Sequence, residues 1–181
     1  MIIPAIINRR SIRKFLSKPV EAEKIHAVLE AAQWAPSGNN MQPARFIVVR
    51  DQDIRYALCQ ADHSQTWMMA APVFIVVVAD LLSRVAPEST CKIDELSPEW
   101  EVKRIIRDSA IATGYLLLEV ENQGLGACWT GFFSQEDVRP VLGLPEDKFV
   151  VAIIPIGYPA ENPNPRMRKS LDEIVRYEKW S

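Results

Sequence analysis

The chain reads as an α/β or α+β protein built around a mixed sheet flanked by helices, and three observations carry that reading. Apolar, β-branched runs of strand length recur at residues 45–49, 73–79 and 149–156. Between them lie segments whose apolar residues recur at helical spacing. The two kinds alternate along the chain, which sets helices against a sheet.

Taken in order, the first clear helix is expected after Glu21 and Glu23, whose charges suit a helix N-terminus. Ile25, Val28, Leu29 and Ala32 then share one face. Trp34-Ala35-Pro36 ends it, because the residue before proline is pushed out of helical geometry. Residues 45–49 follow as a strand, and Asp51 is placed to cap the next helix. Residues 73–79 are continuously apolar, the pattern of a central strand covered on both faces. Residues 81–99 contain Pro87, Ser89, Thr90, Ser97 and Pro98 and read as a mobile insertion or lid.

The longest helical pattern spans residues 100–122. Val102, Ile105, Ile106, Ser109, Thr113, Leu116, Leu117 and Val120 form one stripe, and Ile111, Tyr115 and Leu118 add apolar surface beside it. Such a helix either lies centrally in the core or meets a second subunit. Gly124-Leu125-Gly126 stops it, and residues 127–130 read as a short strand or its end. Ser134 with Asp137, and Ser170 with Glu173, have capping-box spacing. Residues 149–156 form another buried strand, which Pro155 is expected to break or hold at an edge.

The bulk numbers narrow the function. The 181 residues, 48% hydrophobic and 24% charged, suit one domain over residues 1–181. A net charge of -2 draws the molecule to no nucleic acid. No apolar run approaches the roughly 20 residues of a membrane helix. Cys59, Cys91 and Cys128 are scattered and lack a CxxC pair, which argues against a disulfide framework or a structural zinc site. The expectation is a soluble cytoplasmic protein with no nucleic-acid or membrane partner.

Catalytic side chains are missing. There is no G-x-S-x-G elbow and no phosphate-binding P-loop. Gly124-x-Gly126 lacks a third glycine and follows a helix rather than a strand. His26 and His63 have no matching metal-ligand set, and Cys128 has no histidine near it in sequence to activate it. No catalytic residue and no metal site are assigned. An enzyme of this composition takes its chemistry from a cofactor.

Two basic clusters give that cofactor a character. Asn8-Arg9-Arg10-Ser11-Ile12-Arg13-Lys14-Phe15 lies near one end, and Pro163-Asn164-Pro165-Arg166-Met167-Arg168-Lys169-Ser170 near the other. Neither contains an acid. If folding brings them together, their planar forks suit a phosphate monoester; two solvated basic turns would look the same in sequence. Between them lies Pro36-Ser37-Gly38-Asn39-Asn40-Met41-Gln42-Pro43, a polar loop able to hydrogen-bond a planar heterocycle or a polyol.

At these residues the chain resembles the FMN-dependent nitroreductase family. The N-terminal arginine cluster, the Pro36–Pro43 loop, the stretch Gly124-Leu125-Gly126-Ala127-Cys128-Trp129-Thr130-Gly131, and Gly157-Tyr158-Pro159 with Pro165-Arg166-Met167-Arg168-Lys169 come in the family's order. The resemblance implies an α+β fold, an intertwined homodimer and two flavins in the interface. It implies that Arg9, Arg10, Ser11 and Arg13 grip FMN, with Arg166 and Arg168 completing the phosphate site. Pro36, Ser37, Gly38, Asn40 and Gln42 would reach the same flavin from the other subunit. Thr130 and Gly131 would direct backbone N–H groups toward the redox edge. Thr130 stands where one bacterial branch has a glutamate, and Ala44 where a tryptophan often follows the loop. The implied activity is ping-pong hydride transfer from NADH or NADPH, through FMN, to a small-molecule nitroaromatic or quinone-type acceptor. Dehalogenation, heterocycle oxidation, flavin breakdown and non-catalytic FMN binding are alternatives on the same scaffold.

Overall fold

A computed structural model describes residues 1–85, 92–97 and 100–180. Among these residues six α-helices and four strands follow in the order α1 (Pro4–Asn8), α2 (Ala22–Gln33), β1 (Ala44–Val49), α3 (Gln52–Ala61), β2 (Val73–Asp80), α4 (Trp100–Asn122), β3 (Gly126–Ala127), α5 (Gln135–Leu142), β4 (Lys148–Gly157) and α6 (Leu171–Ile174). The class is α+β. The strands form one sheet in the order β1-β2-β4-β3, and all three strand pairs are antiparallel. The mixed character expected of the sheet is confined to a parallel bridge between Ser11 and Ala127. Helix and strand alternate without forming crossovers: Val49 at the end of β1 pairs with Phe74 at the start of β2, so α3 leaves and returns at the same end of the sheet.

The burial of β2 explains its unbroken apolar run. Val73, Ile75 and Val77 face α2 and α4, meeting Ile25, Val28, Ala32, Leu116 and Val120. Phe74, Val76 and Val78 face the other way, onto Leu58, Cys59, Met68 and Val138. A strand clad on both sides needs no polar alternation. Asp51 caps α3 as expected, its carboxylate accepting from the N–H groups of Asp53 and Ile54. Ser134 caps α5 and Ser170 forms a complete capping box with Glu173.

Pro155 is not at an edge. It lies inside β4, opposite Phe74 of the central strand. Ile153 exchanges both backbone bonds with Thr130 (3.0 Å each), so Pro155, two residues on, also turns its missing N–H toward the β3 side. There the register runs on from Ala127 to Thr130, and Cys128 N donates to Pro155 O at 3.4 Å. The proline therefore removes one donor opposite Cys128 and leaves the bridges on either side in place.

The described parts of the segment read as a mobile lid are firmly docked. Leu81 and Ile93 are buried with Ala79, Val102 and Ile105. The Ile93 N–H donates to Glu146 O at 3.0 Å, its carbonyl accepts from Arg139, and Gln135 N donates to Glu95 at 2.7 Å. Cys91, Pro87, Ser89, Thr90 and Pro98 lie outside the described residues. Helix α4 is a core helix, with Val102, Ile105, Ser109, Ala112, Thr113, Leu116 and Val120 buried, yet Ile111 and Tyr115 remain exposed. Among the described residues no helix is long and apolar enough to cross a membrane.

Candidate functional site

The residues after α1 run as an extended arm across the sheet end. Ile12 N donates to Ala127 O (2.9 Å), Leu16 N to Tyr158 O (2.9 Å), and Ala160 N to Lys14 O (2.9 Å). The arm lies flat because Gly126 has no side chain: a Cβ there would stand 2.7 Å from Ile12 Cγ1 and 2.9 Å from Ile12 Cβ. Ile12 and Phe15 are buried, whereas Ser11 before them and Arg13 and Lys14 between them are exposed. Glu161 fastens the arm from the other side, its carboxylate accepting from Arg13 N (2.6 Å) and Lys14 N (3.0 Å). Those backbone donors, Arg13 foremost, hold the Glu161 carboxyl below its usual range.

This construction brings the two ends of the chain together. Arg9, Arg10, Ser11, Arg13 and Lys14 line one cleft of about 850 Å³ with Arg166 and Arg168, and Ile2, Ile6, Trp67 and Glu161 are among its other walls. Among the described residues, none of Arg9, Arg10, Arg13, Arg166 and Arg168 pairs with a carboxylate. Six cationic side chains around a concave space that holds one carboxylate, Glu161, form an anion site, and the planar fork of arginine fits the oxygens of a phosphate monoester. The cleft falls within the size range of small-molecule pockets, roughly 300–1,000 Å³. Arg10 differs from its neighbours. Its guanidinium donates to the carbonyls of Ile7 (2.7 Å), Asn8 (3.0 Å) and Arg9 (2.9 Å), tying off the end of α1.

The second loop sits elsewhere. Pro36, Ser37 and Gln42 line a separate cavity of about 410 Å³ with His26, Arg45 and Asp108. Gly38 lies behind that cavity against Arg84, and Asn40 is exposed on the loop. Within one chain, then, the two halves of the expected site do not meet.

Thr130 is buried and engaged. Its hydroxyl donates to the Asp62 carboxylate and accepts from Gln65 Nε2 at 2.7 Å. Asp62, fully buried at the end of α3, also accepts from Gln65 Nε2 (2.8 Å) and from Phe132 N (2.9 Å). Gln65 Oε1 accepts from Trp67 Nε1 at 3.0 Å, and Arg13 stands over the Trp67 ring at 5.7 Å. A continuous chain of contacts thus links the cationic cleft to residues 130–132. Thr130 N–H is already bonded to Ile153 O, so of the two amides named above, that of exposed Gly131 is the one left for a ligand among the described residues.

Asp62, Gln65, Trp67, Glu161, Arg84 and Asp108 have no counterpart in the sequence reading. No local pattern marks them, because each acts through a partner at least 24 residues away or through the cleft. Cys128, expected to be a core thiol, is buried beneath the arm; burial foremost pushes its thiol up, against the lowering pull of Arg13. His63 stacks on Phe132 at 3.9 Å, a packing role.

Comparison with known proteins identifies the family and the fold. The model of the nitroreductase family matches residues 6–158. An NADH dehydrogenase of Thermus thermophilus is 34% identical over 195 residues, covering 94% of this chain and 93% of that protein. A Desulfovibrio desulfuricans protein described as a nitroreductase and solved in complex with FMN superimposes with a TM-score of 0.83, at 29% identity over 100% of both chains. The NADPH:FMN oxidoreductase of Vibrio harveyi, solved with NAD+, gives a TM-score of 0.86 at 27% identity, covering 98% of this chain and 76% of that one.

Proposed function

This chain belongs to the nitroreductase family, and we propose that it is an FMN-dependent oxidoreductase taking hydride from NADH or NADPH and reducing a small-molecule acceptor of nitroaromatic or quinone type. One observation carries the reading: cationic residues from both ends of the chain converge, unpaired, on one cleft. Bound FMN supplies the hydride acceptance and donation that no side chain here can provide.

The chain's own residues bind and orient. Arg9, Arg13, Arg166 and Arg168 hold the phosphate end, with Ser11 adding a hydroxyl. Arg10 shapes the arm through its carbonyl contacts and contributes charge. Asp62 fixes Thr130 and Phe132 on either side of Gly131, whose amide is directed to the redox edge as a preorganised donor. A cytoplasmic location fits the free thiols Cys59 and Cys128.

The active form is a homodimer in this reading. Ile2, Ile3, Ile6 and Ile7 around α1, and Met167, Leu171, Ile174, Tyr177 and Trp180 near the other end, are all exposed. Apolar surface of that extent marks an interaction face. A second copy covering it would bring residues 36–42 of one chain to the arginine cleft of the other. The test is anaerobic addition of NADH or NADPH to the yellow protein, then of a quinone or nitroaromatic. Bleaching of the flavin band followed by its return is expected; a band that stays unbleached refutes the function.

A further inference from the structure

Residues 37–42 turn through three left-handed positions, two held by asparagine, which tolerates that region, and one by Gln42, which does not favour it. Asn39, Asn40 and Gln42 carry φ values of 55°, 54° and 47°. Left-handed backbone at three non-glycine positions persists only where the surroundings over-determine it. Local bonds help: Ser37 Oγ accepts from Gln42 N at 2.9 Å, and Asn40 N donates to Ser37 O at 2.9 Å. These tie the loop to itself, not to the body.

Arg45 Nη1 of β1 donates to Gln42 O at 2.7 Å, and the attachment to α4 is Gly38. Its N–H donates to Asp108 Oδ2 of α4 at 3.1 Å, and its carbonyl accepts from Arg84 Nη2 at 3.0 Å. Arg84 Nη2 also reaches Asp108 Oδ2 at 2.8 Å, and Nη1 lies 3.6 Å from Glu101, which is held in turn by Arg104 at 3.0 Å. The peptide of Gly38 is therefore gripped on both sides by one ion pair. A Cβ here would stand 2.7 Å from Arg84 Nη2, so any other residue would displace the guanidinium from this contact. The Arg84 side chain is 3% exposed, and its Nε has no hydrogen-bond partner among the described residues. A buried guanidinium left with an unsatisfied donor is poorly explained by stability alone, because well-packed apolar residues would serve as well or better.

We infer that Arg84 and Asp108 are positioning residues that preset the 37–42 loop in its flavin-receiving shape. The inference rests on the FMN reading above. Arg84 lines neither the arginine cleft nor the loop cavity, so it acts through Gly38; Asp108 also lines the loop cavity, so the single variant at Arg84 is the one that isolates positioning. The pair removes conformational freedom the loop would otherwise lose on binding.

The test uses the full chain, Arg84→Met, and the double variant Arg84→Met/Asp108→Leu. The double variant leaves no charge unpaired between the two positions and is expected to keep its Tm even if the single one loses stability. FMN affinity is read by fluorescence titration. Separately, the rise in Tm on adding inorganic phosphate reports the arginine cleft. The expected result is an FMN Kd raised about tenfold in both variants, with the phosphate-induced rise unchanged. Wild-type protein that binds FMN while the double variant binds it within about twofold overturns the inference alone. A loss of the phosphate response together with FMN also overturns it, because the effect would then be general unfolding. Wild-type protein that binds no FMN removes both the reading and the inference.

Discussion

Replacing Gly126 by alanine tests how the phosphate cleft is built without touching any group that would meet a ligand. The new methyl would stand 2.7, 2.9 and 3.0 Å from Cγ1, Cβ and Cγ2 of Ile12. Cβ is as close as the branches, so a rotamer change cannot relieve the clash and the arm itself must move. Ile12 is buried in the cluster with Phe15, Phe74 and Val150, which resists that movement. Overpacking of this kind costs about 1–3 kcal/mol. For a chain of this length the cost corresponds to a Tm lower by about 2–12 °C. The displaced arm carries Arg13, whose charged hydrogen bond to phosphate is worth about 1.5–3 kcal/mol; losing half of it lowers FMN affinity about four- to tenfold. Differential scanning calorimetry and fluorescence titration measure the two effects. A second substitution, Ile12→Ala, removes both Cγ atoms and makes the pair less destabilised than the sum of the singles by about 1 kcal/mol. An alanine variant with wild-type Tm and affinity, or additive effects in the pair, would show that the arm does not depend on this close approach.

Other consequences follow from the same geometry. Arg13→Ala and Arg168→Ala each weaken FMN binding by about 1.5–3 kcal/mol, whereas Arg10→Ala weakens it less, because its guanidinium is already spent on three carbonyls; equal losses in all three, by titration, would contradict that division. Glu161 is held below its ordinary value of 4.5 by backbone donors, so its anchoring is present above that value and is lost as pH falls through the lowered one. Wild-type FMN affinity therefore steps down in acid, while Glu161→Gln binds more weakly at neutral pH and lacks that step; identical pH profiles would count against the anchor. Burial pushes the Cys59 thiol up to about 11 and also raises that of Cys128. Both should stay unlabelled by a thiol reagent at about pH 8 in the native protein and label on denaturation, as read by peptide mapping; fast native labelling at Cys128 would place it outside the core.

Much of this architecture was legible in order along the chain. The helix over residues 100–122, the buried strand at 73–79, and the caps at Asp51, Ser134 and Ser170 depend on periodicity, continuous apolarity or a side chain reaching its own backbone. Each is a local interaction, so a few consecutive residues encode it. The chemical character of the site was legible only as one of two readings: clustered arginines suit an anion, and two solvated basic turns look the same until the chain ends are seen to meet.

What the linear order left open was decided by contacts between distant residues. The meeting of Arg13 with Arg166 and Arg168 depends on the arm lying flat over Gly126 and on Glu161 fastening it, and no short stretch records either. Pro155 stands in an interior strand with its missing N–H turned to Cys128, whose own N–H still donates to the Pro155 carbonyl, a pairing that the residues around Pro155 do not record. The docking of Ile93, the Asp62 junction beneath Thr130 and the Arg84–Asp108 grip on Gly38 likewise join positions 24 to 68 residues apart or more. Burial and hydrogen-bond partnership are created when the chain folds back on itself, so composition and spacing state which groups are available and only three-dimensional packing determines which of them meet.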